Sequence, residues 1–289
     1  MIDMGKELRV GVGQTSTQVY RQCTLDPADK VGSCSQGHLY IAQMNCPGKV
    51  SRIVAVKIVK NWCRQTRRTL AGTPSLKSVS NEAAVLSHLS ESPHPNVLQM
   101  IGAFSNQRGD VNLLLEPASS SLEQLVERMG GRVEEHLAFC FLKQILSGLT
   151  HVHQKGIVHL DLNMENILVF DRKDCTEEKI PALKLADFGS ALFLENNCDR
   201  LTPRLKDVFA CGIVMFQMLF GRKPFHKACS SDSNYLSISY GDLDQLFSDH
   251  GIQEQVSPAA RKVLSILLCP KSPWHLPKAI IANSSLFPQ

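Results

Sequence analysis

The chain has 289 residues, 43% of them hydrophobic, which is enough to bury one large core or two lobes. Its net charge of +4 and pI near 8.5 are mild and give no sign of a nucleic-acid partner. The ten cysteines include no Cys-x-x-Cys pair, and Cys140, Cys211 and Cys269 sit in apolar runs as small core residues, as expected of a cytoplasmic or nuclear protein in a reducing compartment. The opening residues Met1 to Glu7 carry an acid and no apolar run, so no secretory leader is read there. Apolar stretches such as Cys211 to Phe220 are too short to span a bilayer.

Along the chain, residues 1–30 carry little pattern. Ile53 to Val59 is a β-branched run and predicts a strand. Trp62 to Ser80 is polar and basic, contains Gly72 and Pro74, and reads as a connection; the cluster Lys60, Arg64, Arg67 and Arg68 reads as a solvated charge run. Glu82 to Leu89 predicts a short helix with Ser80 as its cap. Val97 to Phe104 and Val111 to Glu116 predict strands, separated by a turn signal over Ser105 to Asp110. Leu122 to Met129 and Glu135 to Gln154 predict helices, the second with Leu137, Phe141, Ile145, Leu149 and Val152 at helical spacing. Short strands are expected at Ile167 to Phe170 and Leu183 to Leu185, followed by long helices. The character thus changes from strand-rich to helix-rich near Glu116 to Ser121.

Several polar residues stand out against this background. Val54-Ala55-Val56-Lys57 sets a lysine in an apolar strand, which is costly unless it is paired or lies at a sheet edge. Glu82 lies 12 residues before His94-Pro95-Asn96-Val97. His159-Leu160-Asp161-Leu162-Asn163-Met164-Glu165-Asn166 runs directly into the strand Ile167-Leu168-Val169, and Asp187-Phe188-Gly189 follows Asn166 by 21 residues. Leu113-Leu114-Leu115-Glu116, Asp207-Val208-Phe209-Ala210-Cys211-Gly212 and Gly221-Arg222-Lys223-Pro224-Phe225 complete the order.

In this order and spacing the chain resembles the protein-kinase superfamily over residues 28–289. His-Leu-Asp-Leu with Asn-Ile-Leu resembles the Mos-type serine/threonine kinases, while the short activation segment is more like certain divergent viral kinases. The resemblance implies an α+β, bilobal fold. Residues 1–27 would be an N-terminal extension, 28–116 a small β-rich lobe and 122–289 a larger helical lobe. ATP and Mg²⁺ would sit between the lobes, and the substrate would be a protein hydroxyl. It further implies that Lys57 contacts the α and β phosphates and pairs with Glu82, and that Asp161 accepts or orients the hydroxyl proton. Asn166 and Asp187 would hold Mg²⁺, which prefers hard oxygen ligands. Glu116 would present hinge backbone to adenine beside the gatekeeper Leu115. Gly32, Gly37, Leu39, Ala55 and Leu168 would surround the nucleotide, and Asp207 would cap the amides of the catalytic loop.

The chain departs from that pattern in several places. The glycine-rich loop reads either as Gly32 to Leu39, with Cys34 at the middle glycine and Leu39 18 residues before Lys57, or as Gly11 to Val19, whose end is 38 residues before Lys57. Leu160 replaces the arginine of His-Arg-Asp. Gly189 and Asp207 are 18 residues apart with no Ala-Pro-Glu, and Leu276-Pro277 stands where Arg-Pro would be. Asn163 replaces the lysine that reaches the γ-phosphate, a change worth on the order of 10²-fold in rate. Three readings follow: a serine/threonine kinase that needs no activation-loop phosphate, a pseudokinase scaffold, and a small-molecule kinase. Lys57, Glu82, Asp161, Asn166 and Asp187 together favour the first.

Overall fold

The computed structural model describes residues 24–34, 37–45, 50–66, 69–71, 78–105, 108–171, 180–194, 201–269, 277–283 and 286–287. They fall into two compact units of the expected α+β class, one sheet-rich and one helix-rich. The first comprises Met1–Ala118 with Asp187–Ala191, the second Ser119–Ala186 with Leu192–Gln289. The alternative loop at 11–19, Arg67, Arg68 and Leu276 lie outside the described residues.

The first unit is built on five antiparallel strands: β1 (Thr24–Cys34), β2 (Gly37–Asn45), β3 (Arg52–Val59), β4 (Met100–Ser105) and β5 (Val111–Leu115), in the order β1-β2-β3-β5-β4. β3 is therefore the middle strand, and the edge-strand reading of Lys57 does not hold. One face packs Ala42, Met44, Val54, Val56, Phe104 and Leu114 into a cluster, the period-2 alternation that a half-buried strand requires. All five residues of β5 are buried, since α2 also packs on this unit. The first part of the stretch read as a connection forms a short helix, α1 (Asn61–Thr66). α2 spans Val79–Ser90, and its cap is Ser78, whose side chain accepts from the Asn81 amide; Ser80, the expected cap, lies inside the first turn. The strand expected from Val97 starts only at Met100, because His94 to Val97 is a turn closed by Val97 N–H on the His94 carbonyl at 3.1 Å.

The second unit opens with β6 (Ser120–Ser121) and α3 (Leu122–Arg128), whose start is a capping box between Ser121 and Gln124. α4 (Glu135–Gln154) buries Phe141, Ile145, Leu149 and Val152, a 3.6-residue stripe. Short strands follow: β7 (Ile157–Val158), β8 (Ile167–Phe170), β9 (Ala182–Leu185) and β10 (Leu192–Phe193), paired as β6-β8-β9 and β7-β10. The remainder holds one long helix, α5 (Leu201–Phe220), and then shorter ones than expected: α6 (Ser233–Tyr240), α7 (Leu243–Asp249), α8 (Pro258–Leu268) and α9 (Pro277–Ala282). Gly241 and Gly251, both at positive φ, break this stretch into short helices. No helix among the described residues is long and apolar enough to cross a membrane.

α5 packs closely on α8 at Gly212. A Cβ there would lie 2.8 Å from the Leu268 side chain and 3.0 Å from the Leu267 backbone carbon. Alanine would gain about 1 kcal/mol of helix propensity, but overpacking a buried contact costs about 1–3 kcal/mol. Gly212→Ala is therefore expected to lower the urea midpoint of unfolding; a rise would show that the two helices can separate at little cost.

Candidate active site

Lys57 projects from the middle of β3 and meets two carboxylates. Its Nζ donates to both oxygens of Glu82, at 2.9 and 2.8 Å, and to Oδ1 of Asp187 at 3.1 Å. The side chains are 14%, 4% and 21% exposed for Lys57, Glu82 and Asp187, so the ammonium is shielded enough for its pairing to matter. Glu82 comes from the first turn of α2. Asp187 comes from the turn after β9, where its backbone is left-handed at φ 57°. That conformation is uncommon for a residue other than glycine, although aspartate and asparagine adopt it more readily than most, and it is held by what surrounds it. Phe188 beside it is fully buried, and Phe188–Ser190 form one turn of 3-10 helix.

Around Lys57 the register places the other expected nucleotide residues. Leu39 pairs with Lys57, and Ala55, 6% exposed, pairs with Ile41 and Leu115. Gly32 pairs with Leu39, and Cys34 with Gly37, at one end of the β1–β2 pairing. A Cβ on Gly37 would collide with the Ile58 carbonyl, whereas one on Gly32 would meet nothing within 4 Å. Cys34 lies in strand β1, and the non-glycine residues at positive φ among those described are Leu160 and Asp187. Glu116 donates its N–H to the Gln99 carbonyl at 3.3 Å and accepts the Gln99 N–H on its carboxylate at 2.8 Å. His38, at the start of β2, is held below the usual imidazole pKa by burial and then by Lys30 and Lys60.

In the second unit a different anion organises the loop His159 to Asn166. Asp207 is 1% exposed and accepts from the N–H of His159 at 2.9 Å, the N–H of Leu160 at 2.8 Å and Nε2 of His153 at 2.8 Å. It stands in the second turn of α5, because that helix already begins at Leu201. Leu160 is held at φ 63°, an outlier for a leucine, with its amide on Asp207. His159 Nε2 lies 2.9 Å from the Ala186 carbonyl, which can only accept, so Nε2 carries the proton and Nδ1 accepts the Asp161 N–H at 3.3 Å. Asn166 donates its side-chain amide to the Asp161 carbonyl at 2.7 Å and to Asp161 Oδ2 at 3.1 Å. Its side-chain oxygen is thus the atom suited to a cation. Leu168 alternates away from the buried Ile167 and Val169 on β8.

Asn163 is part of this construction. It caps the 3-10 turn Met164–Asn166, accepting the Asn166 N–H at 3.1 Å and donating to the Asp161 carbonyl at 3.2 Å. Lysine, which has no acceptor, could not make the first of these bonds. Among residues without a sequence motif to mark them, His153 and Asn81 turn out to touch the site's framework. His153 could have been found as a histidine six residues before His159 on a buried helix; Asn81, beside Glu82, carries no such signal. The hydroxyl residues between Gly189 and Asp207 are Ser190 and Thr202; Thr202 is an exposed residue in the first turn of α5, and Ser190 is half-buried in the 3-10 turn. Glu123 is raised above the usual carboxylate pKa by burial and then by Glu165 and Glu127.

Replacing Asp207 with asparagine would leave one acceptor facing three donors in a dry site. Asp207→Asn is expected to cost about 3 kcal/mol of unfolding free energy, read by urea denaturation. A loss of a few tenths would mean that Asp207 does not hold the loop.

The sequence pattern of the protein kinase domain matches residues 27–204. The chain is 26% identical over 290 aligned positions to serine/threonine-protein kinase GIN4 of Saccharomyces cerevisiae, covering 89% of this chain and 24% of that protein. It is 31% identical to a calcium and calcium/calmodulin-dependent serine/threonine-protein kinase of Oryza sativa, covering 72% of this chain and 44% of that one. With human death-associated protein kinase 2 the identity is 28%, covering 77% and 64%. The chain thus spans between about a quarter and two thirds of the length of these relatives. With the landmark residues in order and more than half of the chain matched, this protein belongs to the protein kinase family.

Proposed function

We propose that the chain transfers the γ-phosphoryl group of Mg·ATP to serine or threonine hydroxyls of protein substrates. The observation that carries this reading is the double pairing of Lys57 with Glu82 and Asp187, which fixes a cation and a hard carboxylate oxygen at hydrogen-bond distance from each other. Protein kinases use ATP and Mg²⁺, and the donors here suit that pair. Magnesium is commonly held by one or two carboxylates plus phosphate oxygens and water, so Asp187 and the side-chain oxygen of Asn166 are each the kind of protein ligand that such an ion would take.

A bound nucleotide would supply the γ-phosphoryl group, and a bound Mg²⁺ would neutralise charge on its oxygens. Lys57 neutralises phosphate charge while Glu82 orients its ammonium. Ala55, Leu168, Leu39 and the hairpin with Gly32 and Gly37 form apolar and backbone surfaces for the nucleotide, and Glu116 presents its carbonyl to adenine. Asp161, its carboxylate steadied by the Asn166 amide, orients the substrate hydroxyl and takes its proton. Positioning and charge neutralisation of this kind account for most of the rate in phosphoryl transfer. The catalytic loop is ordered by Asp207, and Leu160 offers no cation for a phosphate, so no phosphorylation of the activation segment is needed. A cytoplasmic or nuclear location fits this reading.

A second reading, a nucleotide-binding pseudokinase, draws on Asn163. Its side chain is committed to the loop and supplies no cation for the γ-phosphate.

One experiment separates the two. Phosphatase-treated protein is incubated with Mg²⁺ and γ-labelled ATP against a peptide library, alongside Asp187→Asn and Ser190→Ala/Thr202→Ala. The kinase reading expects label on serine or threonine, loss of transfer by at least about 10³-fold in Asp187→Asn, and less than a tenfold change in the double variant. Nucleotide binding without transfer in any form favours the pseudokinase, and a tenfold or greater loss in the double variant, about 1.4 kcal/mol, restores a role for a loop phosphate.

A further inference from the structure

The turn that carries Asp187 is fastened to α2 by more than the Glu82–Lys57 pair. Asn81 Nδ2 donates to the Ala191 carbonyl at 2.6 Å, with the Phe188 carbonyl at 3.5 Å as a longer second contact. One residue before the helix, the Ser78 N–H donates to the Gly189 carbonyl at 3.0 Å. The turn closes on itself through the Ala191 N–H to the Phe188 carbonyl at 3.1 Å. Phe188 and Ala191 are fully buried. The carbonyls of residues 188, 189 and 191 therefore all meet donors from the start of α2.

The placement follows from helix geometry. Successive residues on an α-helix are about 100° apart, so neighbours address different surroundings. Glu82 reaches β3 while Asn81 reaches the turn. Ser78 accepts the Asn81 backbone N–H at 3.3 Å, which leaves the carboxamide for the turn. The demand is chemical as well as steric: a carbonyl oxygen needs a donor, and of the residues isosteric with asparagine, ionised aspartate has none. Asp187 itself is in the left-handed region, a conformation that persists only when its neighbours impose it.

We propose that Asn81 is a positioning residue for Asp187. Its carboxamide holds the turn 188–191 so that the Asp187 carboxylate stays beside Lys57 and available to a metal ion. The inference rests on the kinase reading for its consequence and on the two measured contacts for its geometry.

The full-length chain is compared with Asn81→Asp and Asn81→Gln. Three readouts are taken: amide hydrogen exchange of a peptide covering 187–194, the urea midpoint, and affinity for ATP with and without Mg²⁺. Loss of one donor facing buried carbonyls is expected to speed exchange at 188–191 by about ten- to hundredfold in Asn81→Asp. The urea midpoint should fall by no more than this local loss and metal-free ATP should bind as before, while the Mg²⁺-dependent gain in affinity shrinks about tenfold or more. Asn81→Gln, which retains the donor on a longer arm, should recover part of both effects. Wild-type exchange and wild-type Mg²⁺ dependence in Asn81→Asp would overturn the proposal, as would exchange accelerated equally over the whole chain and not concentrated at 188–191. If the wild-type chain shows neither Mg²⁺-dependent ATP binding nor transfer, the kinase reading fails, and the exchange measurement still decides whether Asn81 holds the turn.

Discussion

One ammonium between two carboxylates is the interaction on which the first unit's chemistry depends. Glu82 is 4% exposed on its side chain and Asp187 21%. Left without Lys57 they would be two like charges close together in a poorly solvated place, where each ångström of separation is worth a sizeable fraction of a kcal/mol at an effective dielectric near 20. The surrounding structure serves to hold the three together. β3 is the central strand, so the Lys57 backbone is fixed by β2 and β5 on either side. α2 begins at Ser78 and fixes Glu82 one turn in. The 3-10 turn after Asp187 is tied to the same helix end. A shift of α2 would alter both carboxylate contacts at once.

The second unit uses the same device with the charges reversed. Asp207 is a single buried anion that gathers two backbone amides and an imidazole N–H. This holds Leu160 in a backbone region that leucine avoids. Among the described residues the non-glycine ones at positive φ are Leu160 and Asp187, and each sits immediately beside one of the two sets of polar groups to which the proposed transfer is assigned, as is common where local strain is kept for function. Asn163 belongs to the same economy of short loops: a side chain with both a donor and an acceptor can close a tight turn that a lysine cannot.

Much of this was legible in the sequence because the signals were of two robust kinds. The β-branched run around Lys57 and the helical stripe of α4 are periodic patterns that burial enforces, and Asp161, Asn166 and Asp187 stand at spacings tied to a fold. What was not legible depends on single hydrogen bonds. Ser78 and Ser80 are equally good caps by type, and the choice between them follows from the turn that Ser78 also touches. The helix at Asn61–Thr66 is stabilised by Asp110, which accepts the Asn61 N–H at 2.9 Å from just before the neighbouring strand β5, a partner 49 residues away that no local pattern reveals. α5 starts six residues ahead of Asp207 because its first turn is helical on its own, so the position of Asp207 within the helix could not be read from the motif alone. At Asn163 the change of type against lysine shows in the sequence, whereas its bonds to Asp161 and Asn166 do not.

The charge balance at Lys57 can be measured without any assay of activity, by a double-mutant cycle in unfolding free energy that includes Lys57→Met, Glu82→Gln and both together. Lys57→Met removes the cation and leaves two carboxylates facing each other, which is expected to cost about 3 kcal/mol. Adding Glu82→Gln to that variant removes the uncompensated buried charge and should return at least about 1 kcal/mol of the loss. If the two losses instead simply add, Lys57 and Glu82 are not coupled, and the interaction placed at the centre of this structure is not what holds it.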